Sequence, residues 1–387
     1  MHAKKLIYIS HLRYPAERTH STFAMKTCET LAREGFSVEL WVPWRLNPRF
    51  RGVDPYEYHG VEHNFVIRRI PSLDAVFLPL GRFGFLVMVA SFSFSTALYA
   101  LWRARREQMI FYLHDVRDAV LLAGIAPLLF LEIHDFYRSA GWMNRWVFAR
   151  LAGFVVTNRL KMDILRRDFG IADERMLLQP NAVDADFFSP DISRADARRR
   201  LVLPQDRTLI CYTGHLFSWK GVETLVASAA FLREDEVIYV IGDGKEKEHL
   251  MRQSAEWPDK VVFAGIRAHA EIPLWLRAAD VLVLPNTARD PASKYETSPV
   301  KLYEYMASGT PIVASDLPSV REIVREEHVW FFEPDDAESL AGAAHTALGA
   351  PLESEEKSSR AKESARGHTW HARAHAIGNF IRARASA

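Results

Sequence analysis

Glu296-Thr-Ser-Pro-Val-Lys-Leu-Tyr-Glu304, running on into Tyr305-Met-Ala-Ser-Gly309-Thr-Pro-Ile-Val313, is the stretch from which the rest of this 387-residue chain is read. Ser298 has the chemistry of an N-cap. Pro299 suits the first helical position, where its missing N–H would be unpaired anyway, and Gly309 with Pro311 closes the far end. The pattern predicts a helix of roughly ten residues. Its first N–H groups, on Val300 and Lys301, have no intrahelical acceptor, and the dipole is positive there. Lys301 adds charge, so a phosphate fits the tip. Glu304 lies about one and a half turns in, where a carboxylate accepts from both hydroxyls of a ribose whose phosphates sit on that tip. Glu296 precedes the helix, on the loop that faces whatever the phosphate carries. The competing reading is an ordinary core helix packed through Leu302, Tyr303, Met306 and Ala307, with both glutamates solvated. The capped turn and the apolar Pro-Ile-Val strand after it favour a ligand.

The stretch resembles the E-x7-E signature and following helix of retaining, nucleotide-sugar-dependent glycosyltransferases, specifically the large group 1 family. That resemblance implies an α/β fold of two Rossmann-like domains facing across a cleft, the GT-B fold. Length agrees, since 387 residues exceed one ordinary core and suit two α/β domains. A net charge of +1 from 49 basic and 48 acidic residues argues against a nucleic-acid partner, whose footprint is strongly basic. Cys28 and Cys211 fall in an expected helix and an expected strand, which points to a reducing compartment without a disulfide framework. The first strand follows Met1 so closely that no signal peptide is expected, and a cytoplasmic location is.

Leu6 to Ser10 reads as a buried parallel strand, Thr19 to Glu34 as a helix ended by Gly35, and Val38 to Val42 as the next strand. This opening βαβ puts the loop His11 to His20 at the carboxyl edge of the sheet, where doubly wound folds bind ligands. Arg13, Arg18 and His20, with His11, are the candidate acceptor-side or phosphate-facing residues there; a merely solvated loop is the other reading. The paired glycines of many family members are absent from it. Further strands are expected at Phe65 to Ile70, Met109 to Leu113, Leu128 to Ile133 and Val155 to Asn158. His134 closes the third of these, and the resemblance implies that it touches the donor sugar at the reacting centre; a histidine bonded to local backbone is the alternative. Gln179-Pro-Asn181-Ala-Val-Asp184 looks like the family's Asn-Gly-Val-Asp hinge with alanine for glycine. The domains are accordingly expected at 1–183, with the closing helix 370–387, and at 184–369. Asp184 and Asp186 match a D-x-D metal motif, but their place after the hinge favours turn capping, and no metal is expected.

In the second half, Leu209 to Thr213 leads into Gly214-His215-Leu-Phe-Ser-Trp-Lys220-Gly221, similar to the family's G-R-L-x-x-x-K-G, in which arginine and lysine hold the diphosphate. Lys220 matches; His215 departs, and it is largely neutral near pH 7. Gly242-Asp-Gly244, after Val237 to Ile241, resembles the turn whose backbone lies near the nucleotide base. Val261 to Ala264, Val281 to Leu284 and Trp370 to Arg384 follow the family order. The site set is then His134, Glu296 and Lys220 for catalysis, with His215, Gly242, Ser298, Pro299, Val300 and Glu304 for the donor nucleotide. The resemblance implies sugar transfer from a nucleoside diphosphate sugar to a glycan or lipid-linked acceptor with retained configuration, no protein nucleophile and no cofactor. A nucleotide-sugar epimerase and a non-catalytic nucleotide-sugar-binding subunit are the rivals. Phe83 to Trp102 is twenty residues without a charge, flanked by Arg82 and by Arg103, Arg105 and Arg106. Its length reaches across a bilayer, yet strands of one sheet lie on both sides of it, which leaves a buried helix or one lying on an anionic membrane surface.

Overall fold

Continuous apolar runs such as Leu6–Ile9 and Val281–Leu284 are what a strand buried on both faces demands, and both lie in parallel sheets. The structure is a computed structural model that describes residues 4–16, 19–134 and 141–386. The chain divides into two compact units, Met1–Gln179 with Trp370–Ala387, and Pro180–Thr369.

The first unit holds β1 (Lys5–Ile9), β2 (Ser37–Pro43), β3 (Val66–Ile70), β4 (Met109–Leu113), β5 (Leu129–Ile133), β6 (Gly153–Val156) and β7 (Met176–Leu178). They pair in parallel in the order β3-β2-β1-β4-β5-β6-β7. Alternation along β1 serves both faces. Ile7 and Ile9 join one apolar layer with Trp41 and Phe111, while Leu6 and Tyr8 join another with Met25 and Cys28. That second layer is closed by α1 (Thr19–Arg33) and by the last helix, Trp370–Arg384, through Ala374, Ile377 and Ile381. Strand order reverses between β1 and β4, so the loops after these two strands flank the switch point where doubly wound folds take ligands. The helix α2 (Gly81–Ala104) is long and apolar enough to cross a bilayer by length and composition. Yet Phe92 and Ala100 are core residues beside Trp41 and Ile70, so one face of it belongs to this unit.

The second unit repeats the plan with β8 (Thr208–Thr213), β9 (Glu236–Ile241), β10 (Val261–Gly265), β11 (Val281–Leu284), β12 (Ile312–Ser315) and β13 (Trp330–Phe332). Their parallel order is β10-β9-β8-β11-β12-β13, with the switch point between β8 and β11. The helix predicted from the opening stretch is α3 (Val300–Ser308), closed by Gly309 at φ 68. It buries Leu302 and Met306 completely, each worth about 1.5–3 kcal/mol. The expected strand at Val155 to Asn158 ends earlier, because Asn158 caps the next helix by accepting from the Lys161 amide at 3.1 Å. Asp184 likewise accepts from the Phe187 amide at 3.2 Å.

Candidate functional site

In the second unit the loop after β8 and the tip of α3 are built against each other. Tyr305 of α3 is fully buried, and its hydroxyl accepts from the Thr213 amide at 2.9 Å, fixing the helix to the end of β8. Gly214 follows at φ 133; a Cβ there would lie 2.5 Å from Lys301 Nζ. Gly242 at φ 147 packs so closely that a Cβ would lie 1.9 Å from the Gly214 carbonyl oxygen. Only glycine fits at both, and the two turns of the carboxyl edge are thereby locked together.

Lys301 does not point to water as a surface charge. It is buried, donates to the Tyr212 hydroxyl at 2.6 Å and sits over that ring at 3.8 Å. Burial, and then the charge of Lys220, hold its pKa well below the ordinary lysine value. This corrects the expectation of a standing charge at the helix tip. Lys220 lies 3.7 Å over the Trp219 ring, and burial pulls its amine down to about 7. Glu304 is half-buried; burial pushes its carboxyl up to about 7 against a downward pull from Lys301. His215 stacks on Phe217 at 5.4 Å, with its pKa lowered by burial, Lys301 and Lys220 in that order.

Ser298 is a second correction. Pro299 occupies the cap position with extended backbone at φ −67, ψ 109, so the first turn starts at Val300, too late for the Ser298 hydroxyl to reach it. That hydroxyl lies 3.5 Å from Tyr303 Oη instead, and the Ser298 carbonyl accepts from Asn181 Nδ2 at 2.7 Å. Asn181, read as part of a hinge, thus holds the loop that leads into α3. Glu296 ends the wide helical turn Ala292–Glu296 just before that loop. Val300 opens the helix as expected. The second unit therefore brings Lys220, His215, Gly242, Glu304 and the tip of α3 to one sheet edge.

In the first unit the carboxyl edge gathers histidines. His11 follows β1, His114 follows β4, His134 follows β5, and His20 lies in the first turn of α1. The His114 ring lies 6.3 Å from that of His11 and 6.1 Å from that of His20; His20 is 5.8 Å from His134, which packs edge-on to Phe23 at 4.6 Å. His11 Nδ1 pairs with Asp118 at 2.9 Å, and this carboxylate overrides the effect of burial to raise the His11 pKa. Burial, then His134, His11 and His20, push His114 down to about 3. His134 Nε2 lies 2.8 Å from Glu132. Arg13 stands half-buried in the loop after β1, and Arg18 lies outside the described residues. His114 went unread in the sequence, although it ends an apolar strand just as His134 does. No group of three or more His, Cys, Asp or Glu side chains arranged to hold a metal ion occurs among the described residues.

Residues 207–349 match the family described as glycosyl transferases group 1. That match lies within the second unit. Among curated relatives, a D-inositol 3-phosphate glycosyltransferase from Xylanimonas cellulosilytica is 29% identical over 193 residues, 47% of this chain and 44% of that protein. The UDP-Gal:alpha-D-GlcNAc-diphosphoundecaprenol alpha-1,3-galactosyltransferase of Escherichia coli is 22% identical over 273 residues, 64% of this chain and 68% of its own length. The match to the first of these spans less than half of that relative. In fold, the chain is similar to a sucrose-phosphate synthase from Thermosynechococcus elongatus, at a TM-score of 0.79 and 20% identity over 99% of both chains. The fold is GT-B, and the segment that matches the group 1 family contains Lys220, Glu296 and Glu304.

Proposed function

We propose that the chain transfers a sugar from a nucleoside diphosphate sugar to a hydroxyl of a glycan or lipid-linked acceptor, retaining the anomeric configuration and needing no metal ion. The observation that carries this reading is the group formed by Lys220, Lys301 and Glu304 at the tip of α3. A buried amine and a half-buried one beside a positive helix end are costly without an anion and favourable with one. A diphosphate on that tip would restore their charge. Departure of that diphosphate is the difficult step, and preorganised amides and amines in a dry site stabilise the charge it gains. Glu304 would hold the ribose, Glu296 the sugar, and the backbone near Gly242 the base. His134 completes the proposed catalytic set, and Arg13, Arg18 and His20 serve the acceptor. The relatives support the donor and acceptor classes: one is named for UDP-galactose and a diphosphoundecaprenol-linked acceptor. A thermal-shift screen against uridine, guanosine and adenosine diphosphates and their sugars tests the reading. One base is expected to stabilise the protein, its sugar conjugates included; stabilisation by none contradicts the proposal.

A further inference from the structure

A helix with one face in a core ordinarily turns polar side chains to water. The outward face of α2 does the opposite. Its exposed positions follow the helical repeat as Phe83, Leu86, Ala90, Phe94, Leu98 and Leu101, with Phe83 63% and Phe94 59% exposed. Trp102 extends this stripe, and no charged residue lies between Arg82 and Arg103. The loops at the carboxyl ends of β2 and β3 continue it with Trp44, Leu46, Leu73, Val76, Leu78 and Leu80, all exposed. These pieces are tied into one surface. Arg45 Nε and the Leu46 amide donate to Asp74, the Ser72 hydroxyl donates to the Trp44 carbonyl at 3.0 Å, and the Leu73 amide donates to Ser91 of α2 at 2.9 Å. In the second unit, by contrast, exposed large apolar side chains such as Phe231, Met251 and Leu352 are spread over separate elements. A continuous apolar surface of this extent marks an interaction site.

Charge identifies what covers it. Residues 66–106 contain six arginines and a single acidic residue, Asp74, which is paired with Arg45. Arg69, Arg82, Arg105 and Arg106 are exposed and have no acidic partner among the described residues; Arg106 lies 4.8 Å over the Trp102 ring. Cations grouped at the two ends of an uncharged apolar stripe, rather than interleaved with it, match a bilayer surface, with phosphates at the rim and acyl chains beneath. We propose that the first unit docks on an anionic lipid bilayer through the outward face of α2 and the loops after β2 and β3. The helix lies along the interface and does not cross it, because its other face is core. Docking also places the acceptor-side edge near the lipid. Phe85, in the first turn of α2, lies 5.7 Å from the His11 ring and beneath the Arg117 guanidinium at 5.4 Å. This last point rests on the proposed lipid-linked acceptor; the docking itself does not.

The test is flotation of the full chain, without donor or acceptor, with unilamellar vesicles of phosphatidylcholine alone and of phosphatidylcholine mixed with phosphatidylglycerol. Binding is expected to the anionic vesicles, on the order of tenfold or more above the neutral ones, and to fall with salt. R105E/R106E is expected to weaken it by about thirtyfold or more, and F94E to reduce it to the level of neutral vesicles. Both sites are exposed, and an unchanged melting temperature and circular dichroism spectrum of the ligand-free chain show that each variant is folded. Equal indifference to all vesicles overturns the proposal. So does a self-association of the wild type that F94E abolishes, which would make the face an interface between copies. Retention in membranes through alkaline carbonate washing would overturn the peripheral geometry. A failed nucleotide screen leaves this test standing, and a failed flotation leaves the transferase reading standing.

Discussion

Glu304 is the residue on which the nucleotide reading turns. Replacing it by glutamine keeps its shape but exchanges one acceptor oxygen for a donor nitrogen, so affinity for the preferred nucleoside diphosphate should fall by about 1–3 kcal/mol, measured by calorimetry. Unchanged binding would remove the ribose role. Titration gives a second prediction with a definite sign. Lys220, near 7, loses its charge as pH rises through that value, whereas Glu304, also near 7, gains its charge over the same range. Diphosphate binding wants the ammonium and ribose binding wants the carboxylate, so affinity should peak near neutrality and fall on both sides. E304Q should lose the acid limb and K220M the alkaline limb, as read from the dissociation constant against pH; a flat wild-type profile contradicts the assignment. Lys220, Glu296 and Glu304 were legible as residues because motif spacing is local. The protonation of Lys220 and Glu304 was not. It depends on burial in the fold and, for Glu304, also on Lys301, which is held by Tyr212, 89 positions away in sequence. The Ser298 cap was misread for a local reason, since the sequence does not specify that Pro299 stays extended.

The last helix, Trp370–Arg384, shows what a single element contributes. Its Arg373 is 2% exposed, pairs with the fully buried Glu132 and stacks over Phe23 at 4.8 Å. Burial alone would raise the Glu132 pKa, but Arg373 leads the groups that bring it down to about 2. A folded value below the unfolded one of about 4.5 means that this carboxylate stabilises the fold above that pH and ceases to do so as pH falls toward 2. R373A leaves a buried carboxylate without its cation and should destabilise the first unit by about 3–5 kcal/mol in urea unfolding, while R373M/E132Q should recover part of that loss. Equal stability of R373A and wild type would show that the pair contributes nothing. The sequence disclosed this helix through the family order it follows and hid its ion pair, whose partners lie 241 positions apart. Short strands were the elements it hid. Met176–Leu178 and Trp330–Phe332 have three residues each, too few for any periodicity to register. His114 was lost similarly, for one histidine after a strand carries no pattern until His11, His20 and His134 are folded around it.

At the scale of the whole molecule, two parallel sheets with reversed strand order present their carboxyl-edge loops as ligand sites, and the alternation of apolar runs with glycine and aspartate turns made that plan readable in advance. On the proposed reading the helix tip and two lysines would supply the positive charge a bound diphosphate needs, so sugar transfer should persist in EDTA; a loss that manganese reverses would contradict this. The most direct test of the transferase reading follows nucleoside diphosphate release from a panel of sugar donors, in EDTA and without acceptor, for wild type and E296Q. Slow release from one donor, with the freed sugar in the donor's own anomeric configuration and with release strongly reduced in E296Q, is the predicted result. Tight binding of a donor with no release, or conversion to a new sugar still attached to its nucleotide, would contradict it.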